Sequence, residues 1–327
     1  MVGISHPAST DLILAISGGV GGARLCQGLV QVLRPDELAI VVNVGDDFEH
    51  LGLSISPDLD TVMYTLADLH HRQQGWGRAD ESWNFMEVLK QLGGESWFLL
   101  GDRDLAVHVE RTRRLASGDT LSAVTADFCA RLGITHPVLP VTDQRLRTRV
   151  MTSDCGELDF QDYFVRKRAA PTLTGLRFEG AAQARLSAPL ERMIASGSRS
   201  RIRGVIVCPS NPWLSVAPVR AVEPFAHWIA SHRIPVVAVS PIIGGQAVKG
   251  PAAKIMRELG VGQDTLGVVR HYGPWVKGWV IDRADEALAE PIRARGHNVA
   301  VTDTLMRTPD IAASLAQTAV DLLRTLA

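Results

Sequence analysis

Residues 12–47 have the sequence LILAISGGVGGARLCQGLVQVLRPDELAIVVNVGDD, and their pattern predicts the class of fold. The stretch begins with a short, continuous apolar run at 12–16, which is typical of a strand buried on both faces. A glycine-rich turn and an apolar-periodic helix follow, and a second apolar run at 38–42 predicts the next buried strand. Strand, helix and strand within about thirty residues predict a βαβ unit with a right-handed crossover.

The same alternation continues toward the C-terminus, where four apolar runs predict strands and one amphipathic stretch predicts a helix: 204–207, 235–239, 276–281 and 299–302, then 309–326. Helices are also predicted at 58–69, 105–116 and 119–132. The segment 145–164 has β-branched residues and polar turns typical of hairpins. We therefore predict an α/β fold: a doubly wound, mostly parallel Rossmann-like sheet with helices on both faces and a smaller hairpin-containing insertion.

We expect a single domain over residues 1–327, with an inserted helical and hairpin subregion at approximately 105–190, and with residues 1–11 frayed. Of the 327 residues, 46% are hydrophobic and 21% charged, which indicates a globular rather than a disordered chain. The net charge of −1 gives no general attraction to nucleic acid or anionic lipid, so neither partner is predicted.

No apolar run approaches the ~20 residues of a membrane-spanning helix, and no secretory signal is visible. The four cysteines form no C-x-x-C pair, and no His or Cys cluster has zinc-ligand spacing. This pattern favours a reduced, cytoplasmic protein.

Polar or glycine-rich loops follow five apolar runs that predict strands, and in a parallel sheet such loops meet at one edge. The loops are 18–22, 46–47, 101–104, 210–211 and 244–245, and the third of them follows a short apolar run at 97–100. The first loop holds Gly18, Gly19, Gly21 and Gly22 and opens a helix, which favours a phosphate or diphosphate site over a tight turn without a ligand. The dehydrogenase fingerprint is not met: Arg24 occupies its last small position, and Asn43 stands where the acidic ribose ligand belongs. An NAD-type oxidoreductase is therefore disfavoured.

Aspartates form the second candidate site. Asp46 and Asp47 follow the second strand, and Asp58 and Asp60 lie at the start of a helix that Asp58 is expected to cap. If these segments meet, Asp46 or Asp47 together with Asp60 offers the oxygen ligands that suit Mg²⁺ on a diphosphate. Solvated turn carboxylates are the alternative.

Further candidates lie in the later loops. Arg103, between two aspartates, can pair with a phosphate or stack on a ring, although a helix start with capping aspartates is the alternative. His108 and Arg111 share one face of the following helix, and either can line the crevice. Other candidates are Ser210 and Asn211, Gly244 and Gly245, and the possible phosphate ligands Lys249 and Lys254. No nucleophile signature is present, so direct phosphoryl transfer fits these residues.

Residues 18–25 (GGVGGARL) and 43–47 (NVGDD) resemble the 2-phospho-L-lactate transferase family, also called CofD- or FbiA-like. The similarity spans nearly the whole chain, continuing through 55–66, 101–106, 160–162, 209–212 and 240–244 to about 303–306. Val107 and the tripeptide 141–143 depart from the family pattern, and neither departure touches the acidic residues.

The resemblance implies a step in coenzyme F-420 biosynthesis. A phospholactyl-type group (2-phospho-L-lactate, enolpyruvyl phosphate or phosphoglyceryl) would pass from a guanosine diphosphate conjugate to the ribityl hydroxyl of the deazaflavin FO, releasing GMP. The resemblance also implies Mg²⁺ as cofactor and a homodimer. It implies that Asp46 and Asp60 hold the metal, with Asp47 a weaker ligand candidate, and that Asp46, Asp47 and Asp60 form the catalytic set, one of which deprotonates or orients the ribityl hydroxyl. It implies that Asp60 and Arg103 contact FO. The residues implied for the guanosine diphosphate moiety are Gly18, Gly19, Gly21, Gly22, Ser210, Asn211, Gly244 and Gly245.

Related nucleotide-sugar-binding regulatory proteins share this fold and are binding modules rather than transferases. The chain resembles them around the glycine loop and the Asp46-Asp47 pair. It has Phe-Glu-His-Leu-Gly at 48–52, where they carry Gly-Gly-Ser-Ser-Gly-Arg. A regulatory binding protein of this kind is the alternative function.

Overall fold

The computed structural model describes residues 10–195, 200–247 and 252–326. The strands are β1 (Thr10–Ser17), β2 (Leu38–Val42), β3 (Phe48–His50), β4 (Leu53–Ile55), β5 (Val138–Pro140), β6 (Arg147–Thr152), β7 (Gly156–Asp159), β8 (Leu173–Glu179), β9 (Ser200–Val207), β10 (Val236–Val239), β11 (Ile242–Ile243), β12 (Gln246–Ala247), β13 (Gly278–Asp282) and β14 (Asn298–Thr302). The α-helices are α1 (Gly19–Val32), α2 (Pro57–Leu66), α3 (Asn84–Gln91), α4 (Asp102–Ala116), α5 (Leu121–Arg131), α6 (Ala188–Ile194), α7 (Ala217–Ala221), α8 (Glu223–Ser231), α9 (Ala252–Glu258), α10 (Thr265–Tyr272), α11 (Ala289–Arg293) and α12 (Pro309–Arg324).

Seven strands form the central sheet in the order β14-β13-β10-β9-β1-β2-β5, and every pairing is parallel. Read from β5, this is the 3-2-1-4-5-6 order of a Rossmann-type sheet with one further strand at the end. The order reverses between β1 and β9, so their carboxyl ends flank the crevice where such sheets bind ligands. The predicted α/β, doubly wound fold is confirmed.

The central strands are buried because helices surround the sheet. All five residues of β2 are buried, as the continuous apolar run predicted. Helix α1 packs against α12 and α2, and α12 also lies on β9, β10 and β14. No helix within the described ranges is long and apolar enough to cross a membrane.

A second, antiparallel sheet has the order β7-β6-β8 and contains the hairpin predicted within 145–164. It contacts the main sheet at the turn after β2, where the Thr148 amide donates to Gly45 O at 2.7 Å. A Cβ at Gly45 would lie 2.7 Å from Thr148 Oγ1, so this close approach requires glycine. The range 105–190 also holds β5, which pairs with β2 in the main sheet.

Several predicted boundaries are wrong. The apolar run 97–100 forms no strand, and Leu100 instead packs with Ile55 and Met86 in a small separate cluster. The loop 101–104 is therefore not a strand-end loop, and α4 already begins at Asp102. Helix α2 ends at Leu66, earlier than predicted. The segment 1–11 lies outside the described residues except for positions 10 and 11, which belong to β1.

Candidate active site

The turn from β1 into α1 lies at the crevice and is held by two neighbouring segments. The Gly18 amide donates to Ser210 Oγ at 3.0 Å, and the Gly19 amide donates to Asp58 Oδ1 at 2.7 Å. The amides of Val20 and Gly21 precede the first i→i−4 bond of α1 and have no acceptor within the helix. Together with the helix dipole, they can bind an anion.

The glycines of this turn have two different physical roles. At Gly18, Gly21 or Gly22, an added Cβ would come within 2.6 Å of an atom of another segment, so close packing requires glycine there. Gly19 has φ +64°, and no atom lies within 4 Å of its Cβ position. Only Gly19 therefore faces open space, where a ligand can approach the backbone.

Asp58 connects three segments and, contrary to the prediction, does not cap its own helix. Its Oδ1 accepts from Gly19, and its Oδ2 accepts from Asn43 Nδ2 at 2.9 Å. The N-cap of α2 is Ser56, whose side chain makes no capping bond. Burial raises the pKa of Asp58 to about 6, against the hydrogen bonds from Asn43 and Gly19.

Asp46 and Asp47 lie in the turn after β2 and are each only 7% exposed. Both keep a buried Oδ1 without a hydrogen-bond partner among the described residues. The Oδ2 of Asp47 accepts from Ser56 Oγ at 2.8 Å. Two buried acceptors without donors are costly in a folded protein, and a bound cation would satisfy them.

The pKa values of these two carboxyls reflect the same burial. Burial raises the pKa of Asp47 to about 7, although the charges of Arg147 and Arg111 oppose the shift. Burial and the nearby charge of Asp58 raise the pKa of Asp46 well above its usual value. The carboxylates whose charges raise the pKa of Asp46 are thus Asp58 and Asp47, whereas the charge of Asp60 raises that of Asp47.

Asp60, by contrast, is paired with a buried arginine. Its Oδ2 accepts from Arg111 Nη1 at 3.0 Å, and its Oδ1 accepts from Arg111 Nη2. Burial alone would lower the pKa of Arg111, but the charge of Asp60 holds it above its usual value. The Nδ1 of His108 lies 3.3 Å from Arg111 Nη1. His108 and Arg111, which share the predicted helix face, therefore both lie next to Asp60.

Asp104 extends this cluster. Tyr64 Oη donates to its Oδ1 at 2.5 Å, and His108 Nε2 lies 3.3 Å from its Oδ2. Burial would raise the pKa of Asp104, but its contacts with His108 and Tyr64 and the charge of Arg111 hold it below its usual value.

A metal ion could use ligand atoms of Asp60, Asp104 and His108, which lie within 4.8 Å of one another. Arg111 already offsets the charge of Asp60, so a cation bound beside Asp60 would need a further anionic ligand. The unpartnered Oδ1 atoms of Asp46 and Asp47 are candidates for that ligand.

Arg103 is exposed at the start of α4, and its backbone amide donates to Glu81 Oε2 at 2.7 Å. Asp102 does not cap α4; it accepts from the Phe85 amide at 3.1 Å, at the start of α3. Beside this loop opens a cavity of about 340 Å³ that has Trp76, Trp83, Leu99, Gly101 and Asp104 in its lining.

The remaining candidates divide into two groups. Ser210 is buried against Gly18, and Asn211 Oδ1 accepts from the amides of residues 213 and 214, so that it caps the next turn. Gly244 and Gly245 form the turn of the β11–β12 hairpin, and the Gly244 amide donates to Asp285 Oδ2 at 3.1 Å. Because β10 adjoins β9, this hairpin follows the strand next to the crevice.

One of the two lysine candidates, Lys254, lies within the described residues and is bound by other groups of the protein. Lys254 Nζ forms an ion pair with Glu258 Oε1 at 2.6 Å and donates to Pro171 O at 2.8 Å. It is therefore already engaged, contrary to the prediction. Lys249 lies outside the described residues.

Arg147 is a site residue that the sequence did not reveal. It is the first residue of β6, and its charge opposes the rise in the pKa of Asp47. The alternation of β6 identifies a strand, but only the contact between Thr148 and Gly45 brings this strand to the acidic turn.

The fold and these contacts define a Rossmann-like α/β protein with a candidate anion loop beside buried carboxylates. The model of the family "2-phospho-L-lactate transferase CofD" matches residues 13–319, and the chain belongs to this transferase family. The chain is 38% identical over 316 residues to a phosphoenolpyruvate transferase of Kitasatospora aureofaciens, across 95% of this chain and 97% of the relative. It is 33% identical over 318 residues to a 2-phospho-L-lactate transferase of Methanocaldococcus jannaschii, across 96% and 99% of the two chains.

A solved structure shares the fold. The crystal structure of a UPF0052 family protein from Bacillus halodurans superposes with a TM-score of 0.61 at 12% sequence identity, covering 96% of this chain and all of that one. At this identity the likeness concerns the fold alone.

Proposed function

We propose that this protein transfers a phospholactyl-type group from a guanosine diphosphate conjugate to the ribityl hydroxyl of FO, releasing GMP, in coenzyme F-420 biosynthesis. One observation carries the proposal: buried carboxylate oxygens without partners lie beside a helix start with free amides, and Asp58 links the two. A cation position next to an anion position suits the transfer of a charged phosphoryl group. The names of the relatives support an enolpyruvyl or lactyl group, and glyceryl is the third candidate.

We assign the metal to Asp46 and Asp60, with Asp47 as a weaker ligand. The unpartnered Oδ1 of Asp46 fits a hard cation, and each Asp60 oxygen keeps a lone pair beyond its bond to Arg111. Bound Mg²⁺ would supply charge neutralisation on the diphosphate.

The donor's diphosphate would be bound by the free amides of Val20 and Gly21, at the open position beside Gly19. The flanking segments 210–211 and 244–245 would line the guanosine. The acceptor's planar ring would lie in the cavity beside Trp76 and Trp83, whose lining includes Gly101 and Asp104, close in sequence to Arg103.

The proposed reaction is a direct displacement. The ribityl oxygen of FO attacks the phosphorus that carries the lactyl-type group, and the bond from that phosphorus to the oxygen of GMP breaks. Asp47 takes the hydroxyl proton at its buried Oδ1, which has no hydrogen-bond donor among the described residues. Asp60, held by Arg111, orients the acceptor.

The test is an assay with purified protein, FO, Mg²⁺ and each of the three guanosine diphosphate conjugates, following GMP and the phosphorylated deazaflavin by mass spectrometry. Product with one donor is expected. Asp46→Asn and Asp60→Asn should lose at least about a hundredfold in kcat, whereas Asp36→Asn, at an exposed ion pair, should not change it. Folded protein that binds a guanosine conjugate but makes no product from any donor would contradict the proposal and favour the regulatory binding protein.

A further inference from the structure

Arg147 is held at the acidic turn by the packing of the small sheet. Thr148, next to it in β6, donates its amide to Gly45 O at 2.7 Å, within the turn that carries Asp46 and Asp47. The charges of Asp47 and Glu49 both act on the Arg147 guanidinium. The β6–β8 sheet therefore presents one guanidinium to the candidate site.

This guanidinium has unused hydrogen-bonding capacity. Its Nη1 donates to Leu146 O at 3.0 Å, and within the described ranges it forms no ion pair and no other recorded hydrogen bond. Burial lowers its pKa. A guanidinium has five N–H donors, and leaving most of them unbonded in a half-buried position is unfavourable.

The neighbouring arginines show that the protein pairs its guanidinium groups elsewhere. Arg149, two residues further along the same face of β6, forms ion pairs with Glu179 at 2.7 Å and with Asp159. Arg177 on β8 pairs with Glu157, and Arg111 pairs with Asp60. Arg147 is thus an arginine at the acidic turn whose remaining N–H donors have no protein acceptor among the described residues and can bind an anionic ligand.

The chemistry of the transferred group identifies that anion. Phosphoenolpyruvate and 2-phospho-L-lactate, the groups in the names of the relatives, both carry a carboxylate on the carbon that bears the phosphate. The α1 amides and the metal are assigned to the diphosphate, so this carboxylate still needs a cationic partner. A planar guanidinium binds a carboxylate through two parallel hydrogen bonds.

We propose that Arg147 binds the carboxylate of the transferred group and so selects donors whose group is an acid. This inference rests on the proposed function, because it assumes a guanosine diphosphate donor. It adds a residue that distinguishes such donors from a plain nucleoside diphosphate, and it applies to both the lactyl and the enolpyruvyl form.

The test compares two ligands by calorimetry with the full chain: the guanosine diphosphate conjugate of lactate and the same conjugate with its carboxylate converted to a primary amide. Arg147→Gln should weaken binding of the acid about tenfold to a hundredfold and leave binding of the amide and of GDP unchanged. Arg147→Lys should recover part of the loss, since it restores charge without the planar fork. Arg149→Gln, on the same face of β6, is the matched control and should not separate the two ligands.

The outcomes separate the two proposals, because binding is read independently of turnover. An active wild-type enzyme in which Arg147→Gln weakens acid and amide equally would overturn the role of Arg147 and leave the transferase intact. Wild-type protein that binds neither conjugate nor GDP would overturn both. Thermal melts of each variant, together with the unchanged GDP affinity, exclude a folding defect as the cause.

Discussion

Asp60 and Asp47 are both buried carboxylates of the candidate site, yet the protein surrounds them differently. Asp60 accepts two hydrogen bonds from the buried guanidinium of Arg111. Asp47 keeps one buried oxygen without a partner, and burial raises its pKa to about 7. A paired buried charge is a fixed structural element, whereas an unpaired one destabilises the fold unless a ligand satisfies it. Asp60 is therefore held in a fixed position by Arg111, whereas Asp47 is available to bind a cation or a proton.

The largest expected effect follows from breaking the positioned pair. Arg111→Met leaves Asp60 buried without its partner and should lower the free energy of unfolding by about 3–5 kcal/mol, measured by urea denaturation. Arg113→Met, at an exposed ion pair on the same helix, should cost less than about 1 kcal/mol.

The double variant Asp60→Asn/Arg111→Met tests the cause of that loss. It removes both charges, and should therefore cost less than the sum of the two single variants. A loss below about 1 kcal/mol for Arg111→Met itself would contradict the idea that this pair is a structural element.

Asp47→Asn should act in the opposite direction. The pKa of Asp47 is about 7 in the folded chain and about 3.9 when unfolded, so the folded state holds its proton more tightly. The stability from this group is complete below pH 4 and is lost as the pH rises through 7. Without metal, at pH 8, Asp47→Asn should therefore raise the free energy of unfolding by roughly 2–4 kcal/mol.

Urea denaturation in the presence of a chelator, at pH 4.5 and at pH 8, measures this effect. The gain should fall to about 1 kcal/mol or less at pH 4.5, where the folded wild-type carboxyl is protonated and only the unfolded one is partly ionised. Asp36→Asn, at an exposed carboxylate, should show no such pH-dependent gain. A variant less stable than wild type at pH 8 would show that the Asp47 charge is compensated after all.

The sequence predicted the strands of the main sheet better than the contacts between distant segments. Strands β1 and β2 were predictable because a strand buried on both faces is a continuous apolar run. The run at 97–100 (WFLL) is also continuously apolar, but its Leu100 packs in a small cluster away from the main sheet, and apolarity alone does not distinguish these environments. Strand ends also predicted the positions of Asp46, Asp47, Ser210 and Gly244.

The partners of these residues were not predictable, because they come from distant parts of the chain. Asp58 bonds to Gly19, 39 residues earlier, and a cap on its own helix was the local expectation. Arg147 reaches the acidic turn only because the Thr148 amide bonds to Gly45. Local patterns identify an element and its buried face, whereas these contacts depend on how separate elements pack.

Magnesium should stabilise the protein most at the pH where the carboxylates of the site are charged. Its carboxylate ligands must be deprotonated, so the rise in melting temperature on adding Mg²⁺ should be larger at pH 8 than at pH 5.5. At a hundredfold excess over Kd, the stabilisation should be about 2.7 kcal/mol. Differential scanning calorimetry measures the shift. Asp46→Asn should abolish it and Asp36→Asn should retain it; an equal shift in Asp46→Asn would place the metal elsewhere.

The smallest expected effect tests whether the paired side of the site acts as one unit. Tyr64→Phe removes the hydroxyl that donates to Asp104, but Asp104 keeps His108 beside it, so the cost should be about 1 kcal/mol in urea denaturation. Tyr272→Phe, at a buried tyrosine without a recorded hydroxyl bond among the described residues, is the control and should change little. A loss from Tyr64→Phe as large as that from Arg111→Met would mean that Asp60 is positioned by the whole network of Tyr64, Asp104 and His108 rather than by one arginine. A loss near 1 kcal/mol keeps the Asp60–Arg111 pair as the dominant contact.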